Sequence, residues 1–108
     1  MTNQNFNGIG KYIHNNGNYY IGKWMNGKKH GEGKLYHFGG DLYFKGKFIN
    51  DKKEGEGIEY YSNGKIKYQG SFQNDSYNGN GTIFWRNGDY FTGVFKDGLA
   101  VKEGILYC

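Results

Sequence analysis

The sequence predicts an all-β protein, an elongated single-layer antiparallel β-meander of repeated hairpins with about nine strands. Three observations predict it. A short aromatic segment centred on glycine recurs at a nearly constant interval, a pair of glycines recurs in phase with it, and turn-forming dipeptides separate the two. The 108 residues include 20 glycines and no proline, and 19% of them are aromatic. This composition is typical of strands and turns.

The aromatic segment has the pattern aromatic-x-Gly-x-aromatic, and its central glycines are separated by 24, 24 and 23 residues. Its copies lie at 20–24, 44–48, 68–72 and 91–95. Side chains alternate between the faces of a strand, so Tyr20, Gly22 and Trp24 share one face while Lys23 lies on the other. The segment therefore predicts an aromatic face and a polar face. The glycine leaves a gap in which rings of neighbouring strands pack against the backbone.

The glycine pair has the pattern Gly-x-Gly and is complete at 8–10, 31–33, 55–57 and 79–81, while only Gly104 remains of a last copy. In the last four copies an aromatic residue follows the second glycine by three positions, as Tyr36, Tyr60, Phe84 and Tyr107. The regular spacing indicates that each glycine pair opens a second strand of the repeated hairpin.

Turn-forming dipeptides stand between these segments, at 16–17, 26–27, 39–40, 50–51, 63–64, 74–75, 87–88 and 97–98. Most are Asn-Gly, Asp-Gly or Gly-Gly, which supply the positive φ angles of tight hairpin turns. Short aromatic runs between such turns predict an antiparallel meander. We expect strands near 9–14, 19–25, 33–38, 42–48, 57–61, 66–72, 81–86, 90–95 and 103–107.

The segment from Tyr20 to Gly33 combines the aromatic start with Asn26-Gly27 and a His30-Gly-Glu-Gly ending. It resembles the MORN repeat (membrane occupation and recognition nexus), and the resemblance covers about residues 8–107. Later copies depart from the pattern, since Glu54 and Asn78 stand where the first full copy has His30. The resemblance implies a twisted sheet with a concave aromatic groove, used mostly for protein interaction and in some members tied to membrane lipids.

The expected domain organisation is a polar N-terminal tail at 1–7 followed by a MORN-type repeat domain at 8–108. The repeat boundaries lie near 8–19 (a partial copy), 20–43, 44–67, 68–90 and 91–108. The polar start contains no apolar signal sequence, and no segment reaches the roughly 20 apolar residues of a membrane span. We therefore expect a cytoplasmic protein. The abundance of Lys, Asn, Tyr and Ile with little Arg and Ala indicates an AT-rich genome, such as that of a bacterium, a phage or a protozoan.

No catalytic, cofactor-binding or metal-binding residues are expected. The three histidines, His14, His30 and His37, have no ligand spacing with each other or with Cys108, the last residue and only cysteine. We expect His30 to pack against or cap a turn, and carboxylates such as Glu54 to be solvated. The chain is expected not to be an enzyme, because in enzymes with similar repeats the resemblance places catalysis in a separate domain.

The aromatic residues have two interpretations, as the core of the sheet or as the lining of a groove that binds a partner. Both hold together if inner rings form the core and rim rings make contacts. The candidate partner-binding residues are Tyr20, Trp24, Phe48, Tyr60, Phe72, Phe84, Trp85 and Phe95. Tyr19, Tyr61, Trp85 and Tyr90 fall outside the repeat's core positions, so their exposure would also indicate contacts.

The functional hypothesis is a non-catalytic protein–protein interaction module that uses its aromatic groove, a sheet edge or its turn rims. One alternative is a small inhibitor, either an antitoxin or a phage anti-defence protein. Another is a weak binder of anionic membrane surfaces through the lysines. A homodimer through the sheet ends is compatible with each. Nucleic acid is not expected as a partner, because the net charge is only +4 and Lys23, Lys45 and Lys47 point away from the aromatic face.

Overall fold

The computed structural model describes residues 6–101 and 103–108, so most of the expected tail at 1–7 lies outside the described residues. These residues form ten strands: β1 Gly8–Ile13, β2 Tyr19–Met25, β3 Lys28–Tyr36, β4 Leu42–Ile49, β5 Lys52–Tyr60, β6 Ile66–Gln73, β7 Ser76–Phe84, β8 Tyr90–Lys96, β9 Leu99–Ala100 and β10 Ile105–Tyr107. No helix in the described part of the chain is long and apolar enough to cross a membrane.

The strands form one antiparallel sheet in chain order from β1 to β8, and β10 pairs with the free edge of β8. The two-residue strand β9 also pairs with β8, so β9 and β10 together occupy the place that β3 takes beside β2. The molecule extends over 46 × 27 × 18 Å. The predicted all-β class, meander topology and elongated shape are confirmed.

Strands β3, β5 and β7 begin five residues earlier than the expected starts at 33, 57 and 81. The preceding turns are only two residues long, with positive φ at residues such as Asn26 and Gly27, so the chain reverses at once. The extra residues form an irregularity in the ladder, because Gly22 pairs with Gly33 but Trp24 pairs with Lys29. His30 therefore lies within β3 and not in a loop, which corrects the sequence-based expectation.

Neighbouring repeats are joined by hydrogen bonds between the turn of one repeat and the equivalent strand start of the repeat before it. The Asp51 N–H donates to the carbonyl of Lys29 at 3.0 Å, and the Lys29 N–H donates to the Asp51 carboxylate at 2.8 Å. Asp75 and Lys53 repeat this arrangement in the next copy. An aspartate here adopts positive φ and also caps a strand N–H, which explains why it replaces the glycine of the first turn.

The core is a row of rings on one face of the sheet. Seven side chains are buried among the residues that the structure describes: Tyr20, Leu35, Phe44, Phe48, Tyr68, Phe72 and Phe95. Successive rings meet edge to face, with centroids 5.2 Å apart for Tyr20 and Phe48 and also for Phe44 and Phe72. Such pairs contribute about 0.5–1.5 kcal/mol beyond their buried area. The repeats therefore bury one continuous aromatic row.

The second glycine of each Gly-x-Gly pair makes this packing feasible. A Cβ added at Gly33 would collide with the Tyr20 ring, and one added at Gly81 would collide with the Tyr68 ring. Any larger residue would push the ring away from the backbone. The gap predicted in the aromatic segment is filled in the same way, because a Cβ added at Gly46 would meet the Phe44 ring and the backbone of Gly57.

Candidate binding surface

The aromatic face is closed in this structure. Four of the candidate contact residues, Tyr20, Phe48, Phe72 and Phe95, have exposed fractions of only 0–3%. Their rings pack on one another and on the glycine backbone, so they hold the sheet together and present no surface to a partner. This placement corrects the expectation of an open aromatic groove.

The closure comes from one repeat position just after the turn that leads into β3, β5 and β7. Lys29 places its Nζ 5.4 Å from the Tyr20 ring centroid, and Lys53 places its Nζ 4.7 Å from that of Phe44. Lys53 also pairs with Glu59 at 3.3 Å. In the next copy the position is Tyr77, whose ring stacks on Tyr68 with centroids 3.7 Å apart. These residues cover the aromatic row, which the strands alone would leave exposed to solvent.

The phenol groups under this cover act as neutral hydrogen-bond donors. Tyr20 Oη donates to the carbonyl of Lys23 at 2.9 Å, and Tyr68 Oη donates to that of Ser71 at 2.8 Å. Burial, with smaller effects from nearby carboxylates, raises the pKa of both tyrosines to about 12. Burial followed by the hydrogen bond to Glu59, 2.6 Å long, raises the pKa of Tyr77 as well.

The other four candidates remain partly accessible. Trp24 is half-buried and donates its Nε1–H to the carbonyl of Gly10 at 3.0 Å. Tyr60 and Phe84 are half-buried at the far end of the polar face, and Trp85 is 45% exposed in a turn. The sequence-based list overlooked Phe38, which is 77% exposed. Its position in a Gly-Gly turn next to aromatic strands was the available signal.

The polar face has no second layer over it in the described part of the chain. The register places side chains from successive strands in rows, one of which contains Ile21, Lys34, Lys45 and Ile58. A groove of 390 Å³ crosses strands β1 to β4 on this face, lined by side chains that include Ile9, Ile21, Lys23, Lys34 and Lys45. This surface has both apolar and basic groups.

The family model for the MORN repeat matches residues 3–19, 20–41, 44–66 and 68–90. This chain belongs to the MORN repeat family. No curated protein matches the sequence closely enough to add a relative. MORN repeats are binding repeats, generally associated with proteins or membranes, and are not themselves catalytic.

Successive repeats of this MORN chain differ strongly on the polar face. The position of Lys23 is occupied by Lys47, Ser71 and Val94 in the following repeats. The position after Gly33 is Lys34 in one repeat and Thr82 two repeats later. Positive charge on this face is therefore concentrated in the first half of the MORN sheet.

The histidines of this MORN sheet are dispersed. His14 lies against Tyr12 with ring centroids 5.1 Å apart, and burial followed by the charge of Lys29 lowers its pKa. His37 stacks on Tyr43 at 4.3 Å. Among the described residues, no group of three or more His, Cys, Asp or Glu side chains is arranged to hold a metal ion.

Proposed function

We propose that this chain is a non-catalytic protein-binding module that engages its partner through the polar face of the sheet. The family association with binding supports a binding role of this general kind. The aromatic face is occupied by the core, so the surface available for recognition is the opposite face together with the turn rims.

The observation that carries the proposal is the combination of exposed apolar and unpaired basic side chains on one uncovered face. Ile9 is 72% exposed and Ile21 is 38% exposed, and both line the groove with Lys23 and Lys45. None of these lysines forms an ion pair with another described residue. Exposed apolar groups flanked by polar ones mark interaction sites on soluble proteins.

A module of this kind acts by occupancy. An adaptor recruits the protein that it binds, whereas an inhibitor covers the functional surface of that protein. The activity of the bound partner with and without this chain distinguishes the two roles.

The test is affinity capture from a cognate lysate with matched variants. One position of the repeat is Ile21, Lys45, Gln69 and Thr92 in successive copies, so the double variant I21Q/K45Q changes the polar face to residues that the fold already accepts. We expect one stoichiometric partner that the wild type binds and I21Q/K45Q loses.

The control for this experiment is Phe38→Ser, because Ser62 occupies the equivalent turn position. This variant alters the rim and leaves the polar face unchanged, so capture should persist. Loss of the partner with Phe38→Ser alone would place recognition on the turn rim. A stoichiometric partner retained by both variants would contradict the proposed surface.

The same face suggests a second candidate function, the binding of anionic membrane surfaces. The observation that favours it is the group of exposed lysines without an ion-pair partner among the described residues, each of which contributes about 1 kcal/mol near an anionic lipid surface. Co-sedimentation with anionic vesicles, abolished by salt and absent with neutral vesicles, is the expected result. Equal recovery with both lipid types would reject it.

A further inference from the structure

The polar face is strongly basic over β1 to β4. Its side chains there include Glu32 and five lysines, and none of the lysines forms an ion pair with another described residue. The lysines are Lys11, Lys23, Lys34, Lys45 and Lys47. Over β5 to β8 the same face has fewer lysines, Lys67 on β6 and Lys96 on β8. Its Glu56 accepts a hydrogen bond from Ser71 Oγ at 2.6 Å.

Two of the lysines lie directly opposite each other. Lys34 on β3 pairs in register with Lys45 on β4, and like charges in such a pair destabilise a sheet. The equivalent pair two strands later is Ile58 with Gln69. The next is Thr82 with Thr92, whose hydroxyl groups lie 2.9 Å apart. The fold is therefore compatible with neutral pairs at this position, whereas β3 and β4 place two lysines there, next to the pair formed by Glu32 and Lys47.

The lysines line a groove on this face. The 390 Å³ groove over β1 to β4 shares Glu32, Lys45 and Gly46 with a second groove of 220 Å³. The second groove continues to Gln69 on β6 and is lined by Glu32 and Glu56 as well as Lys45. The basic part of this surface is therefore the first groove, where lysines outnumber the one carboxylate, that of Glu32.

We propose that the groove over β1 to β4 binds an acidic segment of the partner protein that contains both carboxylate and apolar side chains. This inference rests on the proposed function, since it specifies the partner of the same face. Carboxylates of the segment lie against Lys34 and Lys45, and its apolar side chains lie on Ile9 and Ile21, which line the same groove.

The combination of apolar and basic groups favours a peptide over a membrane. Headgroups satisfy the charge of the lysines, whereas a peptide with apolar side chains also covers Ile9 and Ile21, which are 72% and 38% exposed.

The test uses a short synthetic peptide of alternating glutamate and valine, labelled with a fluorophore and titrated with the full chain. Peptides of serine and valine and of lysine and valine serve as controls for charge. We expect fluorescence anisotropy to report binding of the glutamate peptide alone, weakened by added salt as surface ion pairs are. Equal binding of the serine peptide would overturn the role of the lysines.

The decisive variant is K34T/K45Q/K47S, which introduces the residues found at these positions in later repeats, namely Thr82, Gln69 and Ser71. Loss of three surface charge contacts should weaken peptide binding about tenfold. The control is K52S/K65N/K96Q, which removes the same number of charges outside this groove. Its substitutions also come from equivalent repeat positions, those of Ser76, Asn18 and Gln73. Binding by the control should change less than about twofold.

Circular dichroism of both variants establishes that each is folded. Equal weakening by the two triple variants would show that only net charge matters and would overturn the groove. Binding to anionic vesicles but not to the glutamate peptide would assign the lysines to lipid. If no peptide binds while I21Q/K45Q still abolishes capture of a protein partner, the acidic-segment inference fails and the protein-binding function stands.

Discussion

The two faces of this sheet differ in how much their residues vary between repeats, although they are built from adjacent residues of the same strands. On the aromatic face one position is Tyr20, Phe44, Tyr68 and Phe91 in successive repeats, always a six-membered ring. The next residue along the chain faces the other way and is Ile21, Lys45, Gln69 or Thr92. The fold depends on the first series and accepts wide variation in the second.

This difference separates structure from recognition within each repeat. The ring row and its glycines are closely packed and covered, so a change there alters many contacts. The polar face is exposed, so substitutions there alter the surface without altering the fold. Substitutions on the two faces should therefore have very different effects on stability.

The largest effect is expected at the centre of the aromatic row. Phe44→Ala removes a fully buried ring that contacts both Phe48 and Phe72, and should destabilise the protein by about 3–5 kcal/mol. Urea denaturation followed by circular dichroism measures the change. Phe38→Ala, at an exposed ring, should change stability by less than about 0.5 kcal/mol. Similar losses for both would contradict the division between core and rim.

Alkaline pH should destabilise the aromatic face next most strongly. The pKa of Tyr20 and of Tyr68 is about 12 in the folded protein, against about 10 in the unfolded chain. Stability is therefore fully present below pH 10 and is lost as the pH rises toward 12, by up to about 2–3 kcal/mol for each tyrosine. Thermal melts over this range measure the loss. The variant Y20F/Y68F should show a shallower pH dependence, and an unchanged slope would rule out these two groups as its cause.

The close contact between glycine and ring gives a third test. Gly33→Ala places a methyl group into the space of the Tyr20 ring and should cost about 1–3 kcal/mol through overpacking. Gly39→Ala is the matched control, because no atom lies within 4 Å of its Cβ position and its φ is not positive. Chemical denaturation of both variants distinguishes a steric requirement from a general preference for glycine in this chain.

The link between neighbouring repeats should contribute a smaller amount. Asp51→Ala removes the acceptor of the Lys29 N–H and leaves an alanine at φ 72, for a cost of about 1–2 kcal/mol. Asp51→Gly relieves the backbone strain and loses only the hydrogen bond, so it should lie between wild type and Asp51→Ala. A lower denaturation midpoint for Asp51→Gly than for Asp51→Ala would contradict the role of positive φ.

The smallest effect is expected on the polar face. K34T/K45Q/K47S should change the free energy of unfolding by less than about 0.5 kcal/mol, because the lost repulsion between Lys34 and Lys45 is offset by the lost attraction between Lys47 and Glu32, which also pair in register. Melting temperatures at low and high salt measure it. A loss as large as that of Gly33→Ala would show that the lysines support the fold and would weaken the comparison of the two faces.

The sequence alone predicted the elements that depend on residues close together in the chain. The 24-residue interval, the Asn-Gly turns and the alternation of side chains predicted the meander and identified Tyr20, Phe44 and Tyr68 as one row. Strand starts were predicted less accurately, because the residues between Asn26-Gly27 and Gly33 were assigned to a loop. The two-residue turn lets β3 begin at Lys28.

Only the tertiary structure showed which face is closed. Alternation along a strand separates the rings from the lysines, but it does not show whether another part of the chain covers the rings. Lys29, Lys53 and Tyr77 provide the cover from positions just beyond a turn, and the sequence pattern does not distinguish them from solvated residues. Their placement depends on the register across the turn and on contacts between neighbouring repeats, such as the bonds of Asp51 to Lys29. The repeat pattern thus determines the sheet and its two faces, whereas packing between repeats decides that the aromatic face is core and leaves the polar face open.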